Sequence, residues 1–454
     1  MTKLSGDAPD AELADLIPRL ARRSVLVVGD LMLDRYIFGA VSRISPEAPV
    51  PVLCVERELA LPGGAGNVLR NLTALGAACA FISVVGDDLT GSDLTSLIGG
   101  QANVEPWLLV QGGRITTLKT RFVASGQQLL RTDQEVTGAI HPKLADRLCR
   151  IAGDALAATT VTVLSDYRKG VLAGDTPARI LATAKSTGRR VVADIGGDFP
   201  RYHGADVVCC HARDVQAANG GVAASIEALA RSAMAAFEFG AMVINRGAEG
   251  LALITADLAV FLPPALPHMA EHPGSRDTLV AAMAASLAAG GTLEASARVA
   301  SLALGVAASR PGIAVAENHE LLAMLTPQGR AQRKIMAPEL AAEHATRWRE
   351  LGLTTGFLAV QNGDVPRQKL VAAREGCDRL VVGIEATTET MTEDARAALL
   401  SRLAAEAAVD AVCEYEPQAR AAHIQAIRPK YVSTSRPEEW ADLAIAWDGF
   451  LRTV

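Results

Sequence analysis

The sequence predicts an α/β protein with a doubly wound, mainly parallel sheet, and three observations support this class. Short runs of β-branched and aliphatic residues alternate with alanine-rich segments of helical spacing through most of the 454 residues. The strand candidates are near-continuous apolar runs, as expected of strands that helices cover on both faces. Hydrophobic residues make up 50% of the chain and charged residues 21%, which provides for sizeable cores and argues against disorder.

The strands and helices of the first part follow each other in a regular order. The predicted strands are Ser24–Gly29, Phe81–Val85, Thr160–Leu164, Arg190–Asp194, Asp206–Cys210 and Met242–Asn245. The predicted helices are Gly66–Leu75, Leu144–Ala158 and Thr176–Ser186. Pro177 suits the first turn of the last helix. A sheet with helices on both faces is the simplest architecture for this order.

One section breaks this rhythm and predicts a small appendage. Ile115–Val123 and Gln127–Asp133 mix apolar and polar residues on either side of Ser125 and Gly126, which is typical of a hairpin with a glycine turn. Together with the Pro-rich stretch Ile44–Val55, this hairpin predicts a small antiparallel sheet beside the main one. Such an appendage commonly serves as a lid.

The length and a polar interval predict two domains. Residues 326–350 are the most charged long stretch and contain no strand candidate. The alternation of strands and helices then resumes, with strand candidates at Thr355–Val360, Arg379–Ile384, Asp410–Cys413 and Tyr431–Thr434. We therefore expect a first domain over residues 1–325, a linker over 326–350 and a second small α/β domain over 351–454.

Charge and cysteine usage exclude several classes of partner. The formal net charge is −6, so the chain has no overall attraction for nucleic acid or anionic lipid. The seven cysteines are scattered, form no C-x-x-C pair and are odd in number, which indicates reduced thiols. The N-terminus carries acidic residues where a signal peptide has positive charge, and Thr278–Ala289 is too short to span a bilayer. We expect a soluble cytoplasmic protein with no membrane or nucleic-acid partner.

The most informative segment is Glu271-His272-Pro273-Gly274-Ser275-Arg276-Asp277, which precedes the predicted helix Leu279–Ala289. A glycine-containing turn that leads into a helix presents unpaired backbone N–H groups and the positive end of the helix dipole. An aspartate there can accept the proton of a hydroxyl that attacks a phosphate. Taken alone, Asp277 fits a plain helix N-cap at least as well.

Three earlier motifs add residues suited to binding a sugar. They are Val27–Tyr36, which contains Asp34, Ser42–Pro51, and Pro62–Asn67, which contains two adjacent glycines. Asp34, expected at a strand end, can bind sugar hydroxyls. Gly63 and Gly64 allow a ligand to approach the backbone, and Asn67 supplies both a donor and an acceptor. An ordinary tight turn before a helix explains the glycine pair better when it is taken alone.

Taken together, these motifs resemble the ribokinase (PfkB-type) family of carbohydrate kinases, over roughly Ser24 to Gly312. They resemble most the kinase half of the bifunctional heptose-7-phosphate kinases and heptose-1-phosphate adenylyltransferases. Thr116–Arg121, Gln127–Arg131 and Ser165–Gly170 match the same pattern. The resemblance implies a three-layer αβα fold with a small β lid, ATP and Mg²⁺ as cofactors, a sugar phosphate as substrate, and a homodimer.

The resemblance also implies roles for individual residues. Asp277 is then the base that acts on the anomeric hydroxyl, and Gly274, Ser275 and Arg276 form the anion hole. Asp34, Gly63, Gly64 and Asn67 hold the sugar. Lys119 and Arg121 carry charge suited to its 7-phosphate, although they are equally well explained as solvated strand residues.

The nucleotide side departs from the family pattern. Arg276 replaces a glycine, and its guanidinium can either bind phosphate or fill the space that phosphate needs; a positive φ there would be strained. The family's Asn-x-x-Glu, linked to magnesium, aligns with His211–Asp214, which leaves Asp214 as the metal candidate. Asp194-Ile195-Gly196-Gly197 lacks the expected lysine. Asn245-Arg246-Gly247-Ala248-Glu249-Gly250 resembles the nucleotide-binding turn, which includes Asn245, Gly247 and Gly250.

Three functions remain open at this point. The first is an active kinase of a heptose 7-phosphate that feeds surface (lipopolysaccharide) polysaccharide synthesis. The second is an inactive homologue that binds a sugar phosphate or acts as a scaffold. The third is a kinase of another phosphosugar or of a nucleoside, which this broad fold permits.

The second domain resembles a Rossmann-like nucleotidyltransferase, through Gly376–Gly383, the helix Ala395–Ala405, Val409–Val412 and Ile427–Lys430. That family's His-x-Gly-His turn is replaced by Gln361-Asn362-Gly363-Asp364, and Asp364 puts negative charge where phosphates approach. His423 lies in a helix pattern and is best explained as a surface or core residue. We expect no nucleotidyl transfer, and a structural or dimerisation role for this domain.

Overall fold

The computed structural model describes residues 8–124, 127–221, 224–266, 273–310, 312–360, 365–385, 392–440, 443 and 449–453. They form two compact units, the first built mainly from residues up to Leu321 and the second mainly from Leu322 onward. The linker predicted over residues 326–350 stays a prediction, and two helices occupy most of that interval. No described helix is long and apolar enough to cross a membrane.

The first unit contains a large sheet and a smaller one. Its described strands are β1 (Ser24–Gly29), β2 (Leu31–Ile44), β3 (Pro51–Gly64), β4 (Ala78–Gly86), β5 (Val104–Gln111), β6 (Leu118–Ala124), β7 (Gln127–Gln134), β8 (Val161–Asp166), β9 (Arg190–Ile195), β10 (Val207–His211), β11 (Ala241–Asn245), β12 (Leu251–Thr255) and β13 (Ala259–Leu262). The large sheet has the order β13-β12-β11-β10-β9-β8-β1-β4-β5. It is parallel from β5 to β11 and antiparallel at β12 and β13, and the six predicted strands are confirmed.

Helices cover both faces of the large sheet. The described helices up to residue 323 are α1 (Ala8–Arg19), α2 (Ala65–Ala74), α3 (Leu89–Gly99), α4 (Pro142–Ala158), α5 (Thr176–Ser186), α6 (Ala212–Ala218), α7 (Ile226–Phe237), α8 (Ser275–Ala288), α9 (Leu293–Ala308) and α10 (Asn318–Ala323). Leu26 and Val28 of β1 belong to a core cluster with residues of α4, α5 and α7. Helices α2 and α8 pack together and also contact β1. Because successive strand residues point to opposite faces, this arrangement confirms the three-layer αβα class.

The smaller sheet is mixed rather than antiparallel, which corrects one prediction. Its order is β3-β2-β6-β7, and the pairs β2–β3 and β6–β7 are antiparallel. The central pair, β2 with β6, is parallel because the large-sheet strands β4 and β5 come between them in the chain. The hairpin and the contribution of residues 44–55 are confirmed, whereas the predicted turn at Ser125 and Gly126 lies outside the described residues.

The second unit is a smaller α/β layer structure. Its described helices are α11 (Pro327–Gln332), α12 (Pro338–Glu350), α13 (Arg367–Arg374), α14 (Glu393–Ala405) and α15 (Arg420–Ile427). Its strands are β14 (Thr355–Val360), β15 (Arg379–Glu385), β16 (Ala411–Tyr415), β17 (Tyr431–Thr434) and β18 (Phe450–Thr453), in the order β16-β15-β14-β17-β18. All these pairs are parallel, as the apolar runs of the sequence predict.

Candidate active site

The carboxyl edge of the large sheet brings together polar residues that are distant in the chain. Ser165 at the end of β8 lies beside Asp194 of β9, and His211 at the end of β10 lies beside Asn245 of β11. Helix α8 packs over β8, β9 and β10. In open α/β sheets, ligands bind in the crevice at this edge, which makes the start of α8 a candidate site.

Helix α8 begins with a glycine cap. Gly274 is the N-cap with a φ of 84°, a left-handed conformation that glycine adopts without strain. Ser275 and Arg276 are the first two helical residues and Asp277 is the third. The backbone N–H groups of these three residues have no acceptor within the helix. The alternative that Asp277 is itself the N-cap is therefore wrong, while Glu271 and His272 of the motif lie outside the described residues.

The carboxylate of Asp277 is buried and held by two other elements. Its Oδ2 accepts a hydrogen bond from Nδ2 of Asn67 in α2 at 2.7 Å, and its Oδ1 accepts one from the hydroxyl of Tyr167, just after β8. Thr278 of α8 is also linked to α2, since its hydroxyl donates to Oδ1 of Asn71 at 3.0 Å. The start of α8 is thus fixed against α2 and the edge of the sheet.

The environment raises the pKa of Asp277 to about 7. Burial is the main cause, and the negative charge of Asp194 adds to it. The hydrogen bonds from Tyr167 and Asn67 and the positive charge of Arg276 act in the opposite direction. A carboxyl group with a pKa near neutrality is suited to accept and release a proton under physiological conditions.

The side chain of Arg276 contacts the edge of the sheet. Its Nε lies 2.6 Å from Oδ1 of Asp194, which is fully buried, and its guanidinium carbon lies 5.0 Å from the centre of the Tyr167 ring. The backbone of Arg276 is helical, so the strain that a positive φ would cause does not arise. The arginine is therefore accommodated in place of a glycine, with its charge compensated by Asp194.

On the sugar side, Asp34 lies within β2 and not at a strand end, which corrects the prediction. Its Oδ1 accepts a hydrogen bond from Nη1 of Arg121 in β6 at 2.5 Å. A Cβ at Gly63 would lie 2.0 Å from Oδ2 of Asp34, so a larger residue at 63 would displace this carboxylate. Gly64 has a φ of 59° and caps α2, which places Asn67 in the first turn of that helix. The structure brings Asp34, Gly63, Gly64 and Asn67 together.

The two cations predicted to bind a phosphate both have carboxylate partners. Arg121 pairs with Asp34, as described above. Nζ of Lys119 lies 2.8 Å from Asp133 and 3.2 Å from Glu135, and Glu135 also pairs with Lys169 at 2.9 Å. Arg131 pairs with Asp133 at 3.0 Å. This lid cluster (Lys119, Arg131, Asp133, Glu135 and Lys169) contains three cationic and two anionic side chains.

The residues predicted to bind the nucleotide lie at the ends of β10 and β11. Oδ2 of Asp214 accepts a hydrogen bond from the backbone N–H of His211 at 3.0 Å, so one carboxylate oxygen caps its own helix. Oδ1 of Asn245 accepts from the N–H of Gly247 at 2.9 Å. Gly247 and Gly250 have φ values of 60° and 83° and shape the turn between β11 and β12.

A magnesium ion in this site requires ligands beyond the protein. In the described part of the chain, no group of three or more His, Cys, Asp or Glu side chains is arranged to hold a metal ion. Oδ2 of Asp214 caps the helix, whereas Oδ1 takes no part in this cap. This single carboxylate fits Mg²⁺, which is commonly bound by one or two carboxylates together with substrate phosphates and water.

Tyr167 and Asp194 lie within the sequence motifs described above, but the motifs do not indicate their roles. Tyr167 directly follows β8, and Asp194 lies at the corresponding end of β9, so the rule that strand ends meet at one edge was the available signal. Arg70 was not singled out at all. Its Nη1 donates to Oδ1 of Asn67 at 2.9 Å, one helical turn away, which orients the Asn67 amide toward Asp277.

The second unit contains a buried histidine with a structural environment. Nε2 of His423 in α15 lies 3.3 Å from Sγ of Cys413, and its ring stacks on Tyr415 and meets Phe357 edge-on. Burial lowers its pKa to about 4, so the imidazole is neutral at physiological pH. His423 is a core residue, as expected, and the turn Gln361–Asp364 lies outside the described residues.

Comparison with known proteins identifies the family of this chain. The model of the pfkB family carbohydrate kinases matches residues 22–319. The chain belongs to the pfkB carbohydrate kinase family. It is 48% identical over 439 residues to the bifunctional protein HldE of Acidiphilium cryptum, covering 92% of this chain and 89% of that protein. It is 40% identical to HldE of Paramagnetospirillum magneticum, with 89% and 86% covered.

Solved structures agree with the pfkB fold of the first unit. Phosphofructokinase-2 from Escherichia coli, in complex with potassium, matches with a TM-score of 0.55 and 20% identity, covering 67% of this chain and 99% of that one. Ribokinase of Arabidopsis thaliana, complexed with ribose and ATP, matches with a TM-score of 0.53 and 16% identity over the same share of each chain. At this level of identity the likeness establishes the fold.

Proposed function

We propose that this protein is an ATP-dependent kinase that phosphorylates the anomeric hydroxyl of a sugar phosphate, with D-glycero-D-manno-heptose 7-phosphate as acceptor. The observation that carries the proposal is the buried carboxylate of Asp277. It lies at the N-terminus of a helix, accepts hydrogen bonds from Asn67 and Tyr167, and has a pKa of about 7. The similarity to HldE proteins over most of the chain supports the choice of substrate.

The chemistry follows from the position of this carboxylate. An ionised carboxylate offers about four acceptor positions, and the two hydrogen bonds from Asn67 and Tyr167 leave the others for the acceptor hydroxyl. Asp277 takes the proton of that hydroxyl while its oxygen forms a bond to the γ-phosphorus of ATP. The bond from the γ-phosphorus to the bridging oxygen breaks, and ADP leaves with the electron pair. The start of α8, with its backbone N–H groups and the positive end of the helix dipole, stabilises the charge on the phosphoryl oxygens.

The lid cluster supports an acceptor that is itself phosphorylated. Its three cationic and two anionic side chains have a net charge of one positive unit, close to the lid strands β6 and β7. We propose that Lys119 and Arg121 contact the 7-phosphate, while Asp34 and Asn67 bind sugar hydroxyls. A site of this kind rejects unphosphorylated sugars, because its cationic groups then lack their anionic partner.

The nucleotide is proposed to lie over the ends of β10 and β11. Gly247 and Gly250 shape the turn beside it, and His211 and Asn245 line the same edge. Mg²⁺ supplies charge neutralisation on the phosphates when it is bound, and Asp214 would hold it from the protein side. The surface polysaccharide precursor pathway is the proposed destination of the product.

A coupled assay of ADP release tests this function. Wild-type protein with ATP, Mg²⁺ and heptose 7-phosphate should release ADP, and the unphosphorylated heptose should be a poor substrate. Asp277→Asn should reduce turnover at least about 100-fold while calorimetry still detects sugar-phosphate binding. Asp146→Asn is the matched control, because Asp146 forms an exposed ion pair with Arg179 and should leave turnover unchanged.

Two results would contradict the proposal. Sugar-phosphate binding without any ADP release from the wild type would favour the non-catalytic scaffold instead, whereas turnover of another phosphosugar or of a nucleoside would change the substrate.

For the second unit we propose a structural role, since the turn Gln361–Asp364 lacks both histidines of the nucleotidyltransferase signature. Accordingly, ATP and heptose 1-phosphate should give no pyrophosphate.

A further inference from the structure

The hydroxyl of Tyr167 contacts the candidate base, and the proposed function gives it no role. It donates to Oδ1 of Asp277, whereas the sugar candidate Asn67 donates to Oδ2. The phenol keeps its proton at physiological pH, since burial and then the charge of Asp277 raise the pKa of Tyr167 well above 10. Tyr167 is therefore a permanent donor to the carboxylate.

The position of Tyr167 is itself fixed from two sides. Its backbone N–H donates to Oδ2 of Asp30 at 2.9 Å, and the N–H groups of Lys169 and Val171 donate to the same carboxylate. The Arg276 guanidinium lies over its ring and is paired with Asp194. An aromatic ring held between a backbone anchor and a stacked guanidinium has little freedom to turn.

We propose that Tyr167 is a positioning residue for Asp277, whose hydroxyl fixes the plane of the base carboxylate and, with Arg276 stacked on its ring, keeps one of its lone pairs directed at the acceptor hydroxyl. This inference rests on the proposed kinase function. It assigns the arginine at residue 276 a task that the family glycine cannot perform, because glycine has no side chain to stack on the tyrosine or to pair with Asp194.

The charged and polar groups that face Asp277 lie on or beside four elements. Asp194 of β9 is the nearby anion, and Tyr167 follows β8. Asn67 and Arg70 face it from α2, and Arg276 lies on its own helix. The thiols of Cys209 and Cys210 in β10 are neutral because burial raises their pKa. Removal of the Tyr167 hydroxyl withdraws a donor that favours the charged carboxylate, so a higher pH is then needed to ionise the base.

The test is the pH dependence of turnover in Tyr167→Phe. We expect the acid limb of kcat/KM to move upward by about one pH unit and the plateau of kcat to fall about tenfold, with KM for the sugar phosphate little changed. Tyr202→Phe is the matched control. The Tyr202 hydroxyl donates to Asp166 at 2.7 Å, so this variant also loses a buried hydroxyl–carboxylate bond but should keep the wild-type pH profile.

A second variant keeps the inference testable if Tyr167→Phe does not fold. Arg276→Lys retains the positive charge beside Asp194 but loses the planar group that stacks on Tyr167, and it should lower kcat with a smaller upward shift of the same limb. An active wild type with unchanged pH profiles in the folded variants would overturn the role of Tyr167 alone. A wild type without turnover would instead overturn the kinase function, and this inference with it.

Discussion

At the scale of single residues, the burial of Asp277 links catalysis to stability. The folded-state pKa of about 7 exceeds the value of about 3.9 expected in an unfolded chain. Below pH 4 the carboxyl is protonated in both states. As pH rises from 4 to 7 the unfolded chain loses this proton first, so stability falls until the folded carboxyl has ionised as well. The ionised base is thus the less stable form of the site.

Asp277→Asn should therefore be more stable than the wild type, and increasingly so at higher pH. The neutral amide removes the buried charge, so the difference in free energy of unfolding between variant and wild type should grow by about 2.5 kcal/mol from pH 5 to pH 8. Urea unfolding at the two pH values measures this change. A poor hydrogen bond between the amide of Asn67 and the new amide at residue 277 would lower stability equally at both pH values. A stability difference that is equal at pH 5 and pH 8 would therefore contradict the prediction.

At the scale of secondary-structure elements, the segment after β8 is organised around one carboxylate. Asp30, which follows β1, accepts hydrogen bonds from the N–H groups of Tyr167, Lys169 and Val171, each at 2.9 Å. Arg168, between the first two of these residues, has a φ of 58°, a left-handed conformation that is unusual for a non-glycine residue. The carboxylate of Asp30 holds the turn in the conformation that presents Tyr167 to α8.

Asp30→Ala should release this turn. Three backbone N–H groups, one of them buried and two partly buried, lose their acceptor. We expect this to lower the free energy of unfolding by about 3–5 kcal/mol and to reduce turnover because Tyr167 is displaced. Urea unfolding and the ADP-release assay measure the two effects. Asp88→Ala is the comparison, since Asp88 accepts from the backbone N–H groups of Gly91 and Thr116 at a more exposed site and should cost about 1–2 kcal/mol. Equal losses for the two variants would argue against the anchoring role of Asp30.

The sequence was sufficient to predict the helices and strands, but not the contacts between them. Apolar runs such as Ser24–Gly29 and Thr355–Val360 gave correct strands because burial on both faces leaves a simple pattern. The parallel pairing of β2 with β6 was missed because it joins strands separated by β4 and β5. The partners of Asp277 come from residues 110 and 210 positions away, and no local pattern encodes such distances.

At the scale of the whole molecule, each unit has a hydrophobic cluster of its own. One cluster joins residues between Leu26 and Ile254, and another joins residues between Leu358 and Val412. By position in the chain, three of the four tryptophans (Trp348, Trp440 and Trp447) belong to the second unit, and Trp107 belongs to the first. Trp348 and Trp440 are buried, whereas Trp107 is 42% exposed. Tryptophan fluorescence therefore reports mainly on the second unit.

Leu380→Ala should separate the behaviour of the two units. Leu380 is fully buried in the second cluster, and its truncation should cost about 2–5 kcal/mol through lost burial and a residual cavity. The urea midpoint followed by tryptophan fluorescence should fall, while ADP release at low urea stays near the wild-type rate because Asp277 and its partners lie in the first unit. Leu26→Ala, in the first cluster, should show the reverse: the loss of ADP release moves to lower urea while the fluorescence midpoint changes little. A Leu380→Ala protein that folds but has lost its turnover would show instead that the second unit takes part in the kinase reaction.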